Sequence, residues 1–233
     1  MSRDHSRRFA TALKQVDKNR AYGVREAIEL LKGLSNTKFD ETIEFAARLG
    51  VDPRKSDENV RGTITLPNGT GRQVRVAVFA KAEHAAAAQE AGAETVGDDD
   101  LIAKIDEGWS DFDVLVAHVD MMRAVGRLGK KLGPRMPNKK AGTVSEDVGE
   151  TVRQIKAGKV QYRVDRQSNV HVPIGKASFD TDKLMENFAA LFGAILAAKP
   201  SASKGVYLRH VHLSSTMGPG VRIDVQDARS VVG

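Results

Sequence analysis

FDETIEFAARLGVD, residues 39–52, alternates strictly in character. Ile43, Phe45, Ala47, Leu49 and Val51 fall on one side, and Thr42, Glu44, Ala46 and Arg48 on the other. A period of two marks a strand with one buried face. Further on, VRVAVFA (Val74–Ala80) and VLVAHV (Val114–Val119) do not alternate. Near-continuous apolar runs suit strands covered on both faces, as in a parallel sheet flanked by helices. The chain therefore carries two kinds of strand, and two kinds of sheet are expected.

Working outward, Phe9, Leu13 and Val16 recur at helical spacing, as do Ala27, Ile28, Leu31 and Leu34. An Ala-rich helix stops at Gly92, and another starts behind Asp98, Asp99 and Asp100 and ends near Gly108. A helical stretch follows Met121. Ser145 reads as the N-cap of a helix running to about Ala157, with Glu146 and Asp147 in its first turn. VQYRVD and NVHVPI, separated by RQS, read as a hairpin. In residues 182–199, Leu184, Phe188, Leu191, Phe192, Ile195 and Leu196 share a helix face, with Thr181 as cap and Pro200 as stop. VYLRHVHL and VRIDV flank the loop SSTMGPG. The expected class is mixed α/β and α+β in two domains. One is a discontinuous α+β sandwich formed by both chain ends, residues 1–68 and 159–233. The other is an inserted three-layer α/β domain, residues 69–158, with strands and helices alternating.

Charge supports that division. The 233 residues include 36 Lys+Arg and 30 Asp+Glu, for a net charge of +6. Residues 1–70 hold 13 basic and 10 acidic side chains, 71–158 hold 13 and 14, and 159–233 hold 10 and 6. The excess sits at the two ends. Cysteine is absent, which excludes a disulfide framework, thiolate zinc sites and a cysteine nucleophile. The longest nearly apolar run, Phe188–Ala198, is too short to span a bilayer. The N-terminal MSRDHSRRF is basic without an apolar signal core. The expected protein is soluble, cytoplasmic and basic, with no membrane partner.

Enzyme motifs are missing. Neither GxGxxG nor GxxxxGK[ST] occurs, and GRLGKKLGP (Gly126–Pro134) matches neither spacing and follows a helix. A nucleotide-binding enzyme built on the inserted domain remains the alternative reading. His210 and His212 share a strand face that His171 could neighbour, but no carboxylate falls at a ligand-like spacing. Asp98, Asp99 and Asp100 suit a helix start better than a magnesium site. GxSxG is absent. No catalytic residue, cofactor or metal is expected.

Three segments can serve RNA together, although singly each is weak. Spacing alone favours KFDETIE as an amphipathic strand with a solvated Glu face, and SSTMGPG also reads as an ordinary hairpin loop. In KFDETIE, Lys38 can meet a phosphate and Phe39 can stack, while Thr42 and Glu44 project from one strand face. A fixed Glu can accept hydrogen bonds from a ribose 2′-OH or a base amino group. In SSTMGPG, Thr216 offers a hydroxyl, Met217 a polarizable surface and Gly218 close backbone approach. GKASF adds Lys176 and Ser178. Separately, Met121–Ser145 holds Arg123, Arg127, Lys130, Lys131, Arg135, Lys139 and Lys140 and no acid, which reads as a phosphate-tracking loop.

These strings, with LGVDPRKSDENVRGTITLPNGTG, VGDDDLIAKIDEGWSDFDVLVA, LGPRMPNKKAGTV, IKAGKVQYRVD and SSTMGPGVRI, span nearly the whole chain. Together they resemble the bacterial large-subunit ribosomal protein L1 family. The resemblance implies a discontinuous domain that binds ribosomal RNA of the mobile stalk and an inserted Rossmann-like domain, joined by a double hinge. It implies a non-enzymatic ribosome constituent that helps deacylated tRNA leave the exit site and represses translation of its own mRNA. Other large-subunit proteins are implied as partners, with the free protein a monomer. The RNA contacts it implies are Arg7, Arg8, Lys38, Phe39, Thr42, Glu44, Lys176, Ser178, Thr216, Met217 and Gly218. Arg127, Lys130, Lys131, Arg135, Lys139 and Lys140 are the secondary set. The chain departs from the family's usual GPRGLMPNPKAGT in reading GPRMPNKKAGT, with a shorter loop and Lys139 in place of Pro.

Overall fold

The computed structural model describes residues 6–232, so residues 1–5 of the basic N-terminal string lie outside it. In chain order the first elements are α1 (Arg7–Lys14), α2 (Val24–Leu34), β1 (Thr42–Leu49), β2 (Arg61–Thr65), β3 (Val76–Phe79), α3 (Ala82–Glu90), β4 (Thr95–Gly97), α4 (Asp99–Asp106) and β5 (Val114–His118). Then come α5 (Met122–Val125), α6 (Gly129–Leu132), β6 (Val144–Ser145), α7 (Val148–Lys156), β7 (Lys159–Arg163), β8 (Asn169–Lys176), α8 (Thr181–Ala197), β9 (Leu208–Ser215), β10 (Gly220–Ile223) and α9 (Val225–Ser230). They group into two compact units: residues up to Gly71 together with those from Val160 onward, and Arg72–Lys159.

The first unit is built on an antiparallel sheet in the order β10-β9-β1-β8. Its central strand is the alternating one. Ile43, Phe45, Ala47 and Leu49 are buried, while Glu44 and Arg48 are exposed. Helices α2 and α8 cover the buried face with Ala27, Ile28, Leu31, Leu184, Phe188, Leu191, Phe192 and Ile195. The Phe45 ring meets Phe188 and Phe192 edge-on, at 5.8 and 6.4 Å between centroids. Burying each ring contributes about 2–3 kcal/mol relative to leaving it exposed. Asn187 lies on the same helix face and is fully buried. It accepts the Asn68 N–H at 3.0 Å and donates to the carbonyls of Gly69 and Ile174 at 2.9 and 2.7 Å. A polar side chain there is stable because its amide is matched on both sides.

Two expectations for this unit need correction. β7 and β8 are not a hairpin: β7 pairs with β2 in a separate two-stranded sheet, and β8 pairs with β1. The connection is a corner. Asp165 accepts the N–H groups of Gln167 and Asn169 at 2.7 and 2.8 Å, and Ser168 takes a left-handed conformation with φ of 67°. The Ser168 carbonyl accepts the Leu49 N–H, and its hydroxyl donates to the Val51 carbonyl, both at 2.8 Å. The corner is thus tied to the end of β1 and hands the chain from one sheet to the other. The second correction concerns α8. Its N-cap position is Asp180, without a side-chain cap bond, and Thr181 is the first helical residue.

The second unit holds a parallel sheet in the order β4-β3-β5-β6. All four residues of β3 are buried. Ala77 and Phe79 pack with Leu101, Ile105, Val125 and Leu128, whereas Val76 and Val78 pack with Ala88, Val148, Val152 and Ile155. One strand feeds two cores, so the unit has three layers. The helical stretch expected after Met121 begins with α5, but the remainder, expected to be largely loop up to Ser145, is mostly short helical turns too, α6 with 3₁₀ turns at Gly126–Leu128, Gly133–Arg135 and Lys139–Ala141. Val125, Leu128 and Leu132 explain this, because helical spacing lets them reach the core. The cap of α7 also differs. Asp147, not Ser145, accepts the Glu150 N–H at 2.9 Å, while Ser145 accepts the Asp147 N–H at 3.1 Å.

Candidate nucleic-acid interface

Three segments far apart in sequence meet at one end of the antiparallel sheet. Because β9 and β8 flank β1, the end of β9 and the end of β8 lie on either side of Thr42. The Thr216 hydroxyl accepts the Thr42 N–H at 2.9 Å and donates to the Thr42 carbonyl at 3.3 Å. On the other side, Lys176 Nζ donates to Thr42 Oγ1 at 3.0 Å and to the Asp40 carbonyl at 3.3 Å. Ser178 donates from its hydroxyl to Asp40 Oδ2 at 2.7 Å and from its N–H to Oδ1 at 3.2 Å. Thr42, Lys176, Ser178 and Thr216 are thus one hydrogen-bonded cluster.

Glu41 fixes the loop after β9. Its side chain is buried, and it accepts the Met217 N–H at 3.0 Å. Burial pushes the carboxyl pKa up, but the hydrogen bond from the Met217 backbone, together with the nearby hydroxyls of Ser215, Ser35 and Thr37, outweighs it and holds the group below its ordinary value. Gly218 completes the turn, since a Cβ there would collide with Ser215 Oγ. Asp40 and Glu41 were not picked out in the sequence, where each reads as a solvated acid beside a strand. Ser178 and Met217, which bond to them, lie more than 130 residues away.

The surface so formed exposes an aromatic ring and a thioether among side chains of both charges. Phe39 is 53% exposed and Met217 48%, so neither belongs to the core. Lys38, Glu44, Ser178 and Thr216 are exposed around them. Arg7 and Arg8 open α1, whose Phe9 and Leu13 line a shallow cavity with Pro219, Gly220 and Arg222. The helix therefore flanks the loop after β9, but the cluster's hydrogen bonds do not reach Arg7 or Arg8.

The secondary set lies in the second unit. Lys131 donates to the backbone carbonyl and carboxylate of Asp106 at 2.7 and 2.5 Å. Arg135 lies over the Phe112 ring at 5.8 Å. Lys139 and Lys140 are exposed on a 3₁₀ turn. Arg127 lines a cavity of about 440 Å³ beyond the carboxyl ends of β3, β4 and β5, with Lys81, Asp98, Asp99, Asp120 and Arg123. This is where doubly wound sheets bind nucleotides. Three carboxylates there face three cations, a poor cradle for a phosphate. Among the described residues, no three histidines or carboxylates converge as a metal site.

A profile described as the Ribosomal protein L1p/L10e family matches residues 30–219. The chain belongs to that family. As an L1-family member it is a ribosomal protein, and the family's partners are the ribosome and its RNA. The L1 match covers the strand, both flanking loops up to Pro219 and the whole second unit, but not α1. Among the described residues, no helix is long and apolar enough to cross a membrane.

Proposed function

We propose that the chain binds large-subunit ribosomal RNA at the mobile stalk, assists release of deacylated tRNA from the exit site and represses translation of its own mRNA. Residues 1–68 and 159–233 act as the RNA-binding domain, and residues 69–158 as the inserted domain that accompanies tRNA. The free protein is a cytoplasmic monomer that joins other large-subunit proteins on the ribosome. The observation that supports this reading is the union of KFDETIE, GKASF and SSTMGPG into one surface, with Phe39 and Met217 exposed on it. Lys38 and Lys176 neutralise phosphates and set register. Glu44, Thr42, Ser178 and Thr216 read 2′-hydroxyls and base edges, and Phe39 and Met217 pack on unstacked bases. A similar fold of the messenger would compete for the same surface.

Binding to a large-subunit ribosomal RNA transcript tests this. Affinity should fall steeply with salt, the log–log slope growing by roughly 0.7 for each single-stranded phosphate neutralised. Co-sedimentation with large subunits, followed by crosslinking, should place peptides 38–44, 175–179 and 214–220 on RNA. Salt-independent binding, or crosslinks confined to other peptides, would remove the reading.

A further inference from the structure

The cluster occupies one end of a sheet face that continues well past it. Thr42, Glu44, Ala46 and Arg48 point the same way from β1, over about 20 Å of strand. Register places His171 and His212 on either side of Ala46, and Asn169 and His210 on either side of Arg48. Arg222 of β10 is paired with His212. Ala46, Arg48, Asn169, His171, His210 and His212 line a shallow cavity of about 200 Å³. The strands beside β1 are about 10 Å apart. The small Ala46 therefore leaves a slot between two imidazoles.

We infer that this outward face continues the RNA surface, with His171, His210 and His212 holding an unpaired stretch of RNA over Ala46 and making its affinity depend on pH. The inference rests on the RNA-binding reading above and extends it to a second, separable footprint. Two observations favour RNA as the occupant. The face is continuous with Thr42 and Glu44 along the same strand. It also carries Arg48, Arg222 and three histidines, with Glu44 on the same strand and Asp165 and Asp17 at its margins. A neutral imidazole stacks on bases and offers one donor and one acceptor to their edges. A protonated one offers two donors and a charge to phosphate.

The charged groups around the histidines set the direction of the pH effect. Glu44 and Arg48 stand on β1, Arg222 on β10, and Asp165 before β8 near His171. Asp17 and Lys18, after α1, share a cavity with His212 and Arg222. In the free protein, burial, His210 and Arg222 hold the His212 pKa below its ordinary value. Phosphates arriving on the face reverse that repulsion and favour the protonated His212 imidazole. RNA binding then takes up protons and strengthens as pH falls.

Filter binding of the full chain to a large-subunit ribosomal RNA transcript, at about pH 6 and about pH 8 and fixed ionic strength, reads this out. Wild type should bind about three- to sixfold tighter at the lower pH, the linkage expected when one histidine's pKa rises by one unit from at or somewhat below its ordinary value. The triple variant His171→Gln, His210→Gln, His212→Gln should lose that difference. Ala46→Glu, which fills the slot from an outward position, should weaken binding about tenfold at both pH values, with circular dichroism unchanged. If Ala46→Glu disturbs the fold, the triple variant decides alone. Wild-type-like affinity and pH dependence in the triple variant would overturn the inference while leaving the cluster and its function standing. Absence of binding by wild type itself would overturn the functional reading and this one with it.

Discussion

Glu41 and Met217, 176 residues apart in sequence, are joined by a 3.0 Å hydrogen bond from the Met217 N–H to the buried Glu41 carboxylate. That bond anchors the backbone that carries an exposed methionine. The loop after β9 is anchored by its backbone, so the Met217 side chain stays free for a ligand. Ordering it in advance lowers the entropy lost on binding.

Glu41→Gln should therefore cost about 1–3 kcal/mol of stability, because a charge-assisted bond is lost inside the fold. It should also change the pH dependence. The carboxyl is held below its ordinary value in the folded chain. Its contribution is present above the unfolded pKa, near the usual carboxylate value, and is lost as pH falls through the depressed folded value. Urea midpoints measured from about pH 6 down to about pH 3 should converge for wild type and variant at the acid end. A constant gap across that range would contradict the assignment.

Thr216→Val removes the hydroxyl that both accepts from and donates to Thr42. RNA affinity should fall about tenfold, an effect of about 1.4 kcal/mol, with the melting temperature changed by only a few degrees. Met217→Asp should weaken binding further, since it sets a carboxylate against phosphate at an exposed position that packs on nothing in the core. Wild-type affinity in both variants would show that the loop after β9 does not touch RNA.

Phe45→Ala opens the aromatic cluster with Phe188 and Phe192. The expected cost is about 3–5 kcal/mol. The two units have separate cores, and the single tryptophan, Trp109, packs in the second. Circular dichroism should show an early transition while the Trp109 fluorescence midpoint stays near that of wild type. Coincident shifts of both signals would mean that the units unfold together.

Asp147→Ala should lower the Trp109 fluorescence midpoint by an amount equivalent to about 1 kcal/mol, the usual worth of a helix cap. Ser145→Ala should cost less, because Ser145 bonds only the Asp147 N–H ahead of the helix. The reverse ranking in urea titrations would restore Ser145 as the cap.

Much of the architecture is legible along the chain because each signal is local. Alternation in β1 reports one buried face, and unbroken apolar runs at Val76–Phe79 and Val114–His118 report two. The face of α8 is visible in the spacing of its leucines and phenylalanines, although Asn187 is passed over. Amide groups look solvated until the carbonyls that meet them, Gly69 and Ile174, are located. The secondary basic stretch misleads in the opposite way. Its glycines and prolines read as loop, while Val125, Leu128 and Leu132 anchor short helical turns.

Sequence by itself determined which apolar faces of β1, the parallel strands and α8 are buried and that the excess positive charge sits at both ends, because apolar spacing and charge are written position by position. Only the tertiary structure decided which strands are neighbours. β7 left β8 for β2 because the Asp165–Asn169 corner is pinned to the end of β1, and no local pattern encodes that pinning. Strand order also made Asp40, Glu41, Lys176 and Thr216 one cluster. Hydrogen bonds across more than 130 residues depend on sheet register, and register is settled by the whole core at once.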